Sequence, residues 1–132
     1  MGGVTIFINF TNHASAKWPA AQIEAASAYG SIHDVPFPDV DPNGDEDYLS
    51  KLAVDIANEI MSHNPSAVLC QGEMTLSFTV TVILLKKGVT VLAACSSRDV
   101  TEAIDEKGVI TKKVNFRFVR FRNYALQEII SC

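Results

Sequence analysis

Three short stretches of the chain concentrate residues able to do chemistry. The first is Asn9-Phe10-Thr11-Asn12-His13, with Ser15 close behind. It gathers two amides, two hydroxyls and an imidazole into one turn-sized segment. An imidazole changes charge near neutral pH, so His13 is the candidate acid or base of the chain. The plainer alternative is that Asn12 or Ser15 only caps the helix that follows. The second stretch is Cys70-Gln71-Gly72-Glu73, running into Met74 and Thr75. Here Gly72 permits a tight turn, and the amides of Glu73, Met74 and Thr75 would head a helix. Free N–H groups and the helix dipole at such a point attract anions. Gln71 offers both donor and acceptor to a base or ribose, while Glu73 has the simpler reading of a favourable dipole partner. The third is Ser96-Ser97-Arg98, two hydroxyls and a guanidinium suited to phosphate oxygens. There too a plain reading stands, Arg98 pairing with Asp99 or Glu102.

The elements that would position these residues follow from hydrophobic period and punctuation. Residues 4–10 are a β-branched and aromatic run of strand length. Trp18-Pro19 opens a helical stretch that stops at Gly30, and residues 31–37 form a short strand that Pro36 marks as an edge. A Pro/Gly/Asp loop follows, from which Asp45 or Asp47 caps a helix over residues 46–63. That helix is the clearest element, because Leu49, Leu52, Ala53, Ile56, Ala57 and Ile60 recur at spacings of three and four. Residues 66–70 and 89–95 are further strands. Between them, residues 74–87 have strong β propensity yet read as a helix. A parallel pair needs a crossover of that length, and Lys86-Lys87-Gly88 is a helix stop. The other possibility is a hairpin strand.

Beyond Arg98 the period changes to that of a hairpin turning at Asp105-Glu106-Lys107-Gly108. Phe116 and Phe118 share a parity that Phe121 breaks, which places a bulge near Val119. The last residues, 125–132, read as a short tail, helical in part. The whole is a single α/β domain. It comprises a βαβαβαβ core over 1–98 with a parallel sheet of order 2-1-3-4, a β-hairpin over 99–124, and the tail. Ligands of such sheets bind outside the carboxyl ends of the strands where the chain reverses direction. Here that places the first two stretches side by side.

Bulk properties narrow the classes further. The chain has 132 residues, 48% hydrophobic and 20% charged, enough for one core without staples. Three cysteines without paired spacing argue for a reducing compartment, and no basic-then-apolar leader opens the sequence, so the expected location is cytoplasmic. No apolar run reaches the ~20 residues of a membrane span. Net charge is −4 but uneven: eight acids and one lysine lie between Asp34 and Glu59, six bases and no acid between Lys107 and Arg122. These are two solvated faces of opposite sign, or else the second is a patch for an anionic ligand. Three scattered histidines give no metal spacing, and no nucleotide-binding glycine motif or nucleophile elbow is present. No metal or cofactor is expected.

A first strand ending in Asn-Phe-Thr-Asn-His, a later one running into Cys-Gln-Gly-Glu-Met-Thr, and a fourth ending in Ala-Ala-Cys-Ser-Ser-Arg resemble the small stand-alone ring-nuclease group of CRISPR-associated proteins, relatives of the CARF sensor domains. The resemblance covers residues 4–98. It implies a three-layer Rossmann-like fold and a homodimer whose paired strand ends hold a cyclic oligoadenylate, the second messenger of type III CRISPR antiviral defence. It implies metal-independent cleavage of that ring by the ligand's own ribose 2′-hydroxyl, with cyclic tetra-adenylate as the expected substrate. By position, the ligand sites are Asn9, Thr11, Asn12, Ser15, Gln71, Gly72, Glu73, Met74, Thr75, Ser96 and Ser97. His13 would assist proton transfer and Arg98 would stabilise phosphate charge. Neither membrane nor duplex DNA is expected as a partner. Capture of the messenger without cleavage is one alternative. A different nucleotide-processing enzyme, using carboxylates such as Asp39, Asp41 and Glu73, is another.

Overall fold

The computed structural model describes residues 4–125. Five strands form one sheet of order β2-β1-β3-β4-β5. They are β1 (Ile6–Thr11), β2 (Ser31–Asp34), β3 (Ala67–Gln71), β4 (Thr90–Ile104) and β5 (Ile110–Asn123). The first four run parallel, and β5 returns antiparallel along β4. Three helices connect them: α1 (Ala20–Ser27), α2 (Glu46–Ser62) and α3 (Met74–Lys86).

Side-chain alternation along the strands sorts the core into two faces. Ile8, Phe10, Val68, Cys70 and Val91 point to the side covered by α2 and α3, against Ile56, Ile60, Leu76, Val80 and Leu84. Phe7, Leu69, Leu92 and Phe121 point to the other side, where Ala26 of α1, Trp18 and Tyr29 cover them. β1 and β3 are central and buried on both faces, so they read as continuous apolar runs.

The helix ends follow local chemistry. Asp45 caps α2 by accepting from the Tyr48 amide at 2.9 Å, as its position before the helix predicts. α3 is helical despite its β-branched content, because a parallel β3–β4 pair demands a crossover and Leu76, Val80, Thr81 and Leu84 share a buried face.

Two expectations are refined here. The fourth strand does not stop at Cys95: β4 continues unbroken to Ile104, so the hairpin's first strand and the fourth parallel strand are one element. Residues 99–124 are therefore an extension of the sheet itself rather than an appended unit. Nothing in Ser96-Ser97-Arg98 breaks a strand, and β5 pairs with every residue of it. The bulge falls where expected. Cys95 pairs with Arg120 and Ser96 with Phe118, leaving Val119 as the extra residue. It returns Phe118 and Phe121 to the same face, with ring centroids 5.0 Å apart. At the hairpin tip Asp105 accepts from the Lys107 and Val109 amides, and Gly108 takes φ 76°. The expected tail helix lies outside the described residues.

Candidate functional site

β1 and β3 are neighbours, and the chain leaves them in opposite directions, toward β2 and toward β4. Outside their carboxyl ends lies a cleft of about 470 Å³. Thr11, Asn12 and His13 from the β1 end line it, with Gln71 and Gly72 from the β3 end and Ser96 of β4. Lys17, Trp18, Phe116 and Phe118 complete its walls.

The β1 end is shaped by a buried amide. Asn9, 1% exposed, donates through Nδ2 to the His13 carbonyl at 2.8 Å and to Asp34 Oδ1 at 3.0 Å. Its Oδ1 accepts from the Thr11 hydroxyl at 2.8 Å. Thr11 Oγ1 in turn accepts from the His13 amide at 3.1 Å, and Trp18 Nε1 donates to the same His13 carbonyl at 3.1 Å. From β2, Asp34 Oδ2 accepts from the Ser15 amide at 3.1 Å. The His13 amide and carbonyl and the Ser15 amide are thus held from below, and Asn9 and Ser15 serve the loop's shape rather than lining the cleft. What the loop presents outward is the His13 imidazole, exposed and without a hydrogen-bond partner among the described residues, and the Asn12 side chain.

The β3 end is closed on itself, and three expectations change there. Gly72 does not adopt a positive φ, so no special turn requires glycine. Instead a Cβ there would overlap the ring of Phe37, which stacks on Phe10 with centroids 4.6 Å apart. Gln71 Oε1 accepts from the Ala94 amide at 2.8 Å, bridging β3 to β4 just where their backbone ladder stops at Leu69–Leu92. Only its NH₂ group remains for a ligand. At the start of α3, one of the three amides expected to meet an anion, that of Thr75, is already taken from within the chain. The Glu73 carboxylate accepts from the Thr75 amide at 2.8 Å and the Leu76 amide at 3.0 Å, and from the Thr75 hydroxyl. The Thr75 amide, then its hydroxyl, then the Leu76 amide hold the Glu73 pKa below its ordinary value. The Glu73 carboxylate competes with any anion at the Thr75 and Leu76 amides, and neither Glu73 nor Thr75 lines the cleft. Met74 also lies elsewhere, 83% exposed on an apolar groove along α3.

The third stretch divides by strand parity. Ser96 faces the cleft, whereas Ser97 points to the opposite side, its hydroxyl buried and unpartnered. Arg98 shares the face of Ser96 but pairs with Phe116 one step farther out, exposed, at the outer rim instead of inside. It makes no ion pair with Asp99 or Glu102 among the described residues; Glu102 faces Lys112 at 3.7 Å instead. The strand does not end at these residues, which is why the expected phosphate tip is absent.

Eight lining residues were not foreseen from the sequence, the charged and aromatic ones among them being Lys17, Trp18, Phe116 and Phe118. Trp18 and Lys17 follow the His13 loop directly, and that proximity was the available signal. Phe116 and Phe118 are brought in by β5, more than forty residues beyond β3, and only the parity around Val119 hinted at their face. The walls are braced from behind. Phe7 contacts Trp18 edge-on at 6.2 Å and Phe121 at 5.4 Å, and Phe121 packs on Phe118.

The cleft contains no carboxylate, and its charge comes from Lys17 and, when protonated, His13. The acids suggested for an alternative chemistry are engaged elsewhere. Asp41 and Glu73 do line a common recess, but Asp41 accepts from the Asn43 amide at 2.9 Å and Glu73 caps α3. Asp39 is not part of that recess. Cys70 is buried, and burial pushes its thiol up to about 11, which keeps it protonated and unreactive at neutral pH. His33 and His63 stack with ring centroids 4.5 Å apart, outside the cleft. Among the described residues no cluster of three or more His, Cys, Asp or Glu side chains is placed to hold a metal, and no helix is long and apolar enough to cross a membrane.

No curated protein matches this chain. A family model does match it, across residues 5–122. That span takes in all five strands but for the last residue of β5, and every wall of the cleft: the chain belongs to the uncharacterized protein MJ1673 family.

Proposed function

We propose that the cleft binds a cyclic oligoadenylate and opens its ring by metal-independent attack of a ribose 2′-hydroxyl on the adjacent phosphate, in the manner of the CRISPR-associated ring nucleases. The observation that carries this is the composition of the cleft. In a chain of net charge −4, the recess at the sheet's reversal holds a lysine, an imidazole, hydroxyls and aromatic rings but no carboxylate. Such a lining suits phosphates and unstacked bases, which aromatic faces can take up. Further support comes from the 2-1-3-4 order of the four parallel strands, with the chain reversal between β1 and β3, and from the motif resemblance at their ends. The family match assigns no activity.

In this reading Lys17 neutralises phosphate charge from inside the cleft, and Arg98 does so from the rim. The rings of Trp18, Phe116 and Phe118 take the bases, while the free NH₂ of Gln71 and the Ser96 hydroxyl orient the ribose. His13 accepts the 2′-hydroxyl proton or donates one to the departing 5′-oxygen. The new P–O2′ bond replaces the P–O5′ bond, the 2′-hydroxyl proton ends on the released 5′-oxygen, and a 2′,3′-cyclic phosphate results without consuming water. The protein contributes positioning and charge. A homodimer would present two such clefts to a symmetric ring.

Incubation of the protein with cyclic tetra-adenylate and a chelator tests this. Linear adenylates ending in 2′,3′-cyclic phosphate are expected, with the rate lowered at least about tenfold in His13→Ala. Intact ring after prolonged incubation at high protein concentration would reject cleavage. One observation favours the second reading, capture without cutting. The cleft carries a single imidazole and no partner acid or base to orient it. Tight binding with no product, unchanged in ligand lifetime by His13→Ala, would select it.

A further inference from the structure

Beyond Cys95 the sheet narrows to a two-stranded arm, residues 96–104 of β4 paired with 110–118 of β5. Its two faces differ sharply. One carries Ser97, Asp99, Thr101 and Asn115, Lys113, Arg117, and is polar throughout apart from Ala103. The other carries the cross-strand pairs Val100–Val114 and Ile104–Ile110, with Phe116 nearer the sheet. All five of these side chains are exposed, from 41% at Val114 to 72% at Phe116. Alternation of this kind, here interrupted on the apolar face by Arg98, Glu102 and Lys112, marks a strand pair with one face buried. A free two-stranded ribbon is at best marginally stable in water, so this face calls for a cover.

Two features say what the cover is. Within the apolar face, Glu102 stands opposite Lys112 at 3.7 Å, with Arg98 four residues back along β4 on the same side, beyond the Val100–Val114 pair. A surface with one acid and two bases set in an apolar strip complements itself when turned about a two-fold axis. The outer edge of β5 does the reverse. Lys112, Lys113, Arg117, Arg120 and Arg122 line the strand, and two such edges side by side would oppose like charges. Face-to-face packing is therefore favoured over extension of the sheet.

We infer that the apolar face of the arm packs on the same face of a second copy of this chain, Glu102 of each meeting Lys112 or Arg98 of the other. The strip runs into the cleft through Phe116 and Phe118, so the second copy also closes the open outer side of the cleft. The association itself does not depend on which ligand the cleft takes.

Sedimentation of the unliganded full chain tests this. The wild type is expected to be dimeric at micromolar concentration, and Val114→Glu and Val100→Glu should each weaken association by about tenfold or more. Thr101→Glu on the polar face should leave it unchanged. Because Val114 and Val100 are partly exposed, folding of the variants is checked by circular dichroism. Independently, amide exchange at residues 98–104 and 110–116 of the wild type should slow as its concentration rises. A monomeric wild type, a dimer indifferent to both glutamates, or a dimer broken instead by Phe78→Glu on α3 would overturn the proposal. Loss of association without loss of ligand binding, or the converse, separates this inference from the ligand reading.

Discussion

The two strand ends at the chain reversal look alike in sequence and behave differently in the fold. Each is an apolar strand followed by a handful of polar residues. At the end of β1 the hydrogen bonds of Asn9, Thr11 and Asp34 hold the backbone in a fixed loop, and His13 and Asn12 are left facing outward. At the end of β3 the polar groups are consumed locally. Gln71 ties down β4, Glu73 caps its own helix, and Gly72 makes room for Phe37. A polar residue beside a strand end is a site candidate only if its partners lie elsewhere. Where a buried residue satisfies the backbone from below, the outward side chains are free. Where the outward side chains satisfy the backbone themselves, little remains for a ligand, here only the NH₂ group of Gln71.

The largest expected effect breaks the β1 end. Asn9→Ala removes both donors and one acceptor of a buried network, leaving the Thr11 hydroxyl and the His13 carbonyl short of a partner. A loss of about 2–3 kcal/mol in urea-induced unfolding is expected, together with loss of whatever the cleft binds. Next comes Gly72→Ala, which should cost about 1–3 kcal/mol through overlap with Phe37. Phe37→Leu in the same chain should recover much of that cost. A double variant as unstable as the sum of the singles would mean Gly72 answers to backbone conformation instead.

Glu73→Gln comes third, lowering the thermal midpoint by about 2–4 °C at neutral pH through loss of a charged cap. Its pH dependence carries a sign. The Thr75 and Leu76 amides hold the folded-state pKa below the ordinary 4.5. The contribution is thus fully present above that value and is lost as pH falls through the lower folded value. Wild type and Glu73→Gln should therefore converge in stability toward strongly acid pH, as thermal melts across the range would show. Ligand binding in the cleft should be unaffected. The smallest effect on stability belongs to His13→Ala, within about 0.5 kcal/mol because the imidazole supports nothing in the fold. Its consequence should appear in turnover alone.

Much of this layout was legible in advance, for identifiable reasons. The α2 period and the Asp45 cap are local signals, and α3 followed from the length a parallel crossover needs, even against its β propensity. The bulge at Val119 could be placed because Phe118 and Phe121 had to share a face. Three things were not legible. The extent of β4 was hidden because Cys95-Ser96-Ser97-Arg98 is as polar as a strand end, yet β5 satisfies its backbone throughout. The closing of Gln71 and Glu73 depends on where Ala94 and the α3 amides lie in space. The aromatic walls come from β5 and from the segment before α1, and only the folded sheet brings them to His13. Arg98 was misplaced for the first of these reasons, standing at the rim rather than at a strand tip.

The central claim is that ligand chemistry belongs to the β1 side of the reversal and its aromatic walls, not to the start of α3. Titration of isotope-labelled protein with cyclic tetra-adenylate, followed by amide NMR, addresses it residue by residue. Shifts concentrated at residues 11–18, 71–72, 94–96 and 116–118, weakened in Lys17→Ala, are the predicted result. No saturable shifts, or shifts centred on residues 73–78, would contradict it.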